Sequence, residues 1–205
     1  MDLTPVVLEG EHVRLEPLSL EPHFGGLCEV ALDPELWRWT LGQMRTAEDL
    51  RRYLETAVRE RSEGRSMPFA TVAKAAGKAI GSTRFGNFDH DHRRVEIGWT
   101  WIGRDWQRTA VNTEAKLLML THAFERWGVM RVELKTDALN ERSRTAIRRI
   151  GATEEGILRK HMVTDSGRIR DSALYSLTDD EWPTVRARLE ARLAAHRTGA
   201  PPASG

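Results

Sequence analysis

Between residues 93 and 150 the hydrophobic period changes repeatedly, and this most restricts the fold. Arg93 to Ile102 alternates every second residue and Asn112 to Trp127 repeats at helical spacing. Met130 to Thr136 alternates again, and Asn140 caps a return to the helical pattern that runs to Ile150. Strand, short loop, helix, strand, helix is the signature of helices packed on a sheet, so an α/β (α+β) domain is expected. In the first strand, alternation sets Val95, Ile97, Trp99 and Trp101 on one face and Glu96, Gly98 and Thr100 on the other.

The flanking segments extend the pattern. Val6 to Leu8 and His12 to Leu18 read as strands about the Gly10 turn. Pro22 to Leu32 reads as helix, followed by a tryptophan-rich piece from Pro34 to Thr40. Thr46 caps a helix to Ser62 that carries Leu50, Tyr53, Leu54 and Val58 on one face. Met67 to Lys74 and Lys78 to Asn87 are strands. After the central unit, Ala152 to Val163 and Arg168 to Leu177 form a hairpin, Thr178 and Glu181 fit a capping box, and a last helix begins at Pro183. One domain over 1–195 is expected, with 196–205 as a disordered Ala/Pro/Gly/Ser tail.

Charge excludes some functions. Thirty-one basic residues face thirty acidic ones, too even to draw the chain onto nucleic acid or anionic lipid. Arginine pairs such as Arg93-Arg94 and Arg148-Arg149 are the sole motive for a nucleic-acid reading. No run is long and apolar enough for a membrane span and no signal peptide is read, so a cytoplasmic protein is expected. One cysteine, Cys28, allows no internal disulfide and reads as a small core residue. His90 and His92 with Asp89 and Asp91 mimic metal ligands, but a solvated turn is the better reading, and no metal is expected.

The loop GRDWQRTAVNTEAK joins the Glu96 strand to a helix N-terminus. Free N–H groups and the helix dipole favour an anion there, and Arg104 and Arg108 add cations. With NERSRTAIRRIGA, EGILRKHM and the final DDEW, it resembles the GNAT acetyltransferases, within them the RimJ/RimL type, over about residues 10 to 182. The resemblance implies a mixed, splayed sheet of about seven strands flanked by helices. The pantetheine arm of acetyl-CoA would enter between the strands holding Glu96 to Trp101 and Val132 to Thr136. It implies an N-acetyltransferase that moves an acetyl group to a primary amine, on a protein N-terminus or a small molecule, and admits a homodimer.

The resemblance also distributes roles. The phosphate loop falls on Gln107, Arg108, Thr109, Ala110, Val111, Asn112 and Thr113, with Ala110 where the family has glycine. An amide survives there, but a positive φ would strain alanine. Main-chain groups at Trp99, Thr100 and Trp101 would hold the thioester carbonyl, and Asn140 the pantetheine. Arg144 and Arg149 would reach the adenosine 3′-phosphate. Glu96 is the implied base and Ser143 the implied acid. Ile147 stands near the position of the tyrosine common elsewhere in the family, and Met162 occupies the register of a glutamate proposed as base in the RimL type. Phe24, Trp37 and Trp39 would wall the acceptor pocket, with core packing the equal alternative; Tyr175 reads as a core residue. The altered loop and absent tyrosine motivate an alternative, a catalytically silent acyl-CoA-binding module.

Overall fold

The computed structural model describes residues 1–198, and residues 199–205 of the expected tail lie outside them. Among the described residues one sheet has eight strands: β1 (Leu8–Glu9), β2 (Val13–Pro17), β3 (Ser66–Ala73), β4 (Lys78–Asp89), β5 (Arg94–Ile102), β6 (Arg131–Asp137), β7 (Thr153–Val163) and β8 (Ile169–Thr178). Their order is β1-β2-β3-β4-β5-β6-β8-β7, antiparallel throughout except for the parallel pair β5–β6. The resemblance implied about seven strands; the eighth is the two-residue β1, read from the sequence at Val6 to Leu8 and found at Leu8–Glu9, where it pairs with β2 through Leu8–Leu15 and Glu9–Arg14.

Helices cover both faces. The helices α1 (Leu20–Ala31) and α2 (Ala47–Ser62) pack on one side, where Leu27, Leu50, Leu54 and Ala57 join Ala70, Val72 and Trp101. On the other side lie α3 (Ala110–Thr121), α4 (Glu141–Ile150) and α5 (Trp182–Thr198), burying Val111, Met119, Ile147, Ile150 and Leu189 against Val95, Ile97, Val132 and Tyr175. Each such aliphatic side chain contributes about 1.5–3 kcal/mol. None of the described helices is long and apolar enough to cross a membrane.

Local chemistry explains most boundaries. Thr46 and Asp49 exchange bonds across the first turn of α2 in a full capping box. Gly151, at φ 106°, ends α4 in the left-handed region that glycine enters freely. The box expected before α5 is half formed: Glu181 accepts from both the amide and hydroxyl of Thr178, so that hydroxyl donates rather than caps. α5 runs through Thr198, past His196 where the tail was expected to start. α3 starts two residues before Asn112, because Thr109 caps it, and continues as a π turn over His122–Arg126.

Candidate active site

β5 and β6 pair only through Arg94–Arg131, Val95–Val132 and Glu96–Glu133. Beyond Glu96 they part, so the β6-facing main-chain groups from Ile97 to Trp101 have no strand partner among the described residues. On the other edge β5 stays joined to β4, but Gly98 pairs with Arg84 and Trp101 with Ser82, which sets Trp99 and Thr100 together opposite Thr83. This bulge holds Trp99 at φ 50°, a conformation costing a bulky residue about 1–3 kcal/mol. The bulge also corrects the expected alternation. Trp99 turns its ring onto Gly86 and Trp101 joins the α1–α2 core, while Thr100 faces α3. Trp99 and Trp101 therefore leave the face of Val95 and Ile97.

One end of the gap is built for an anion. Helix geometry leaves the amides of Ala110, Val111 and Asn112 without intrahelical acceptors, and Thr109 takes Val111 at 3.3 Å. Left-handed backbone falls at Arg108, φ 62°, and not at Ala110, which is the first residue of α3 and carries no strain from its methyl group. Arg104, Gln107, Arg108, Arg142 and Glu35 line a cleft of about 420 Å³. An adjoining cleft of about 290 Å³ runs on past Arg38, Trp39, Leu139, Asn140, Glu141 and Arg142. Gln107 braces this mouth, donating to the Ile102 carbonyl at 2.9 Å and accepting from Arg142 at 3.1 Å. Asp33 holds Arg104 through two bonds of 2.9 and 3.2 Å.

Glu96 is on the α1–α2 face of the sheet and is 5% exposed. Its Oε2 accepts from Asn87 Nδ2 at 2.7 Å and pairs with Lys135 Nζ at 2.9 Å. Its Oε1 lies over Gly98, where a Cβ would stand only 3.0 Å away, so glycine leaves that oxygen open beside the parting strands. The register sets Lys135, Asp137, Arg170 and Ser172 on this same face. Asp137 binds Arg168 at 2.5 Å, and the Arg168 guanidinium lies 5.5 Å from the Trp39 ring. The β7–β8 tip closes that side through the Asp165 amide to the Leu41 carbonyl, 2.9 Å.

Asn140 caps α4 by accepting from the Ser143 amide at 3.1 Å. The Ser143 hydroxyl is half-buried and has no hydrogen bond among the described residues. Arg144 is occupied elsewhere: it donates to the Tyr175 hydroxyl at 3.0 Å and pairs with Glu154 and Glu141. Burial raises the Tyr175 phenol above its ordinary range. Arg149 is exposed and stands near Arg192 of α5, so Arg142 is the α4 arginine that lines the cleft. Trp37 is core, donating its indole N–H to the Ala31 carbonyl at 2.6 Å, whereas Trp39 lines the smaller cleft. Phe24 packs at the edge of the α1–α2 core under Arg51. Asp89 is used by its own turn, accepting from the His92 amide and Arg94.

On α3, two buried charges escaped the sequence reading. Glu114 accepts from the amides of Glu11, His12 and Val13 at 2.9, 2.7 and 2.8 Å, and a side chain at Gly10 would overlap its carboxyl group. Lys116 donates to the hydroxyls of Thr83 and Thr100 at 3.0 and 2.8 Å. The apolar spacing of α3 flags neither, because their partners come from β4, β5 and the β1–β2 turn.

Comparisons with known proteins agree with this geometry. The family model described as an acetyltransferase (GNAT) domain matches residues 12–153. YdaF of Bacillus subtilis, a candidate ribosomal N-acetyltransferase by name, is 34% identical over 106 residues, which span 52% of this chain and 57% of YdaF. A GCN5-related N-acetyltransferase from Brucella melitensis superposes with a TM-score of 0.86 at 32% identity, over 92% of this chain and 86% of that one. Mycobacterium smegmatis RimJ, solved with CoA-disulfide, shares the fold with a TM-score of 0.78 at 23% identity, over 92% and 95% of the two chains. By the extent of the domain match, and by a sheet that opens between its two parallel strands, this chain belongs to the GNAT acetyltransferase family.

Proposed function

We propose that this chain transfers the acetyl group of acetyl-CoA to a primary amine by direct attack within a ternary complex. The observation that carries the reading is the loss of β5–β6 pairing beyond Glu96, with an arginine-lined cleft at one end and a carboxylate across the sheet. The residues fit coenzyme A: the first amides of α3, with Arg108 and Arg142, suit its phosphates, and the unpaired edge of β5 suits its amide-bearing arm.

Acetyl-CoA supplies an activated acyl group; the chain supplies alignment, a proton acceptor and a proton donor. Main-chain N–H groups at the bulge orient the thioester carbonyl. Glu96 Oε1, open over Gly98, takes the amine proton directly or through water as the C–N bond forms, while Lys135 and Asn87 fix the other oxygen. Ser143 passes its hydroxyl proton to the departing thiolate as the C–S bond breaks and regains a proton from water in the same relay. A thiol of pKa about 8.5 leaves without strong assistance, so Ser143 matters less than Glu96. The α3 start at Ala110 removes one of the two motives for a silent binding module, since alanine costs nothing there.

The acceptor enters from the α1–α2 face, between Trp39, the β7–β8 tip and Trp99. A protein N-terminal amine is the first acceptor to test, given the name of YdaF. Purified protein with acetyl-CoA and peptide N-termini, polyamines and amino sugars should release thiol and acetylate at least one class. Tight coenzyme A binding with no thiol release across the panel would overturn the transfer reading.

A further inference from the structure

The Lys116 side chain is an ammonium group with almost no contact with water. The residue is 4% exposed and lies on the sheet-facing side of α3, where Ala115 and Met119 are also buried. No carboxylate stands within ion-pairing distance among the described residues. Its partners are two hydroxyls, Thr83 of β4 at 3.0 Å and Thr100 of β5 at 2.8 Å, which also bond each other at 2.8 Å. Burying a cation without a counter-charge is costly, and a hydrocarbon side chain of similar length would fill the same space more cheaply. The location accounts for that cost. Thr100 is half of the bulge, and Thr83 is the single residue facing it across β4.

We infer that Lys116 is a positioning residue for acyl transfer: from beneath the sheet it ties Thr83 to Thr100 and locks the bulge, so that the unpaired main-chain groups from Ile97 to Trp101 face the gap between β5 and β6 in one geometry. The inference rests on the proposed function for its purpose, though not for its geometry. α3 begins at the anion-binding loop, so Lys116 makes one rigid body of the helix that receives the phosphates and the strand that receives the thioester. The strain of Trp99 at φ 50° needs such a restraint, because a free bulge would relax toward negative φ. Burial alone brings the ammonium down to about 7, and no charged side chain of β4, β5 or α3 contributes. The clamp therefore weakens as pH rises through neutrality.

Three variants of the full chain test this: Lys116→Met, Lys116→Arg and Thr100→Val. Lys116→Met keeps the stem and removes the charge, so it should lower kcat about 10- to 100-fold through misalignment while thermal stability rises or holds. Lys116→Arg should recover part of the loss, and Thr100→Val should lower kcat without touching the lysine. Amide NMR gives a readout free of turnover. In the wild-type protein the Trp99, Thr100 and Trp101 amides should titrate together with a midpoint near the Lys116 value of about 7, and in Lys116→Met that titration should vanish. Wild-type kcat in Lys116→Met, or bulge amides indifferent to pH, overturns the clamp. A wild-type protein whose bulge amides titrate but which acetylates nothing supports the clamp and sinks the transfer reading, so the two failures are distinct.

Discussion

Replacing Glu114 by alanine tests how α3 is held. Its carboxylate accepts three amides of the β1–β2 turn at 2.7 to 2.9 Å, and Gly10 leaves room for it. A hydrogen bond to a charged group contributes about 1.5–3 kcal/mol, and a buried donor left bare costs about 1–3 kcal/mol. Val13 is fully buried, so its amide has no water to turn to, whereas His12 lies nearer the surface. Removing a buried carboxylate also relieves its own desolvation, which offsets part of the loss. The net expectation is about 3 kcal/mol, or a fall in Tm of about 6–12 °C for a domain of this size. Urea and thermal unfolding with two probes measure it. Glu114→Gln should fall between, because its amide oxygen can still serve His12 and Val13 while its NH₂ opposes the third amide. A Glu114→Ala protein within about 0.5 kcal/mol of wild type, the range of an ordinary surface change, would refute the reasoning.

Further perturbations separate the parts of the site. Glu96→Gln should lower kcat about 10²- to 10⁴-fold, the usual contribution of a general base, while calorimetry finds coenzyme A affinity nearly intact. Unchanged turnover would remove Glu96 from the mechanism. Ser143→Ala should cost less than about tenfold, because the thiolate is a good leaving group. Arg142→Ala should weaken coenzyme A binding about 10- to 100-fold by loss of a charge-assisted phosphate contact, and the loss should shrink in high salt. Lys116 also sets a pH dependence of stability. Its folded pKa of about 7 lies below the ordinary 10.5, so between these values the unfolded chain binds the extra proton and stability rises with pH. Lys116→Met should flatten that rise in denaturant titrations from pH 7 to 10.

The central strand–loop–helix–strand–helix unit was readable because each element buries one face, and burial imposes a period on the residues. Asn140 and Thr46 were readable as caps because their chemistry is local. The bulge was not. Trp99 and Trp101 maintain an apolar alternation that suits a flat strand, and only the pairing with β4 reveals that two β5 residues share one partner. Lys116 and Glu114 carry no local signal because their partners lie on distant strands and the β1–β2 turn. The partners of Arg144 were hidden in the same way: Glu154 and Tyr175, which hold it, come from β7 and β8. Local pattern records where apolar surface goes, but a buried charge is explained only by groups that the fold brings to it.

A crystal structure with coenzyme A bound tests the central claim most directly. The account requires the pyrophosphate at the first amides of α3 beside Arg108 and Arg142. It also requires the pantetheine arm to bond the β5 main chain between Ile97 and Trp101, with the sulfur near Ser143 and within reach of Glu96. Coenzyme A seated on another surface, or β5 and β6 closed on each other along their full length in the complex, would contradict it.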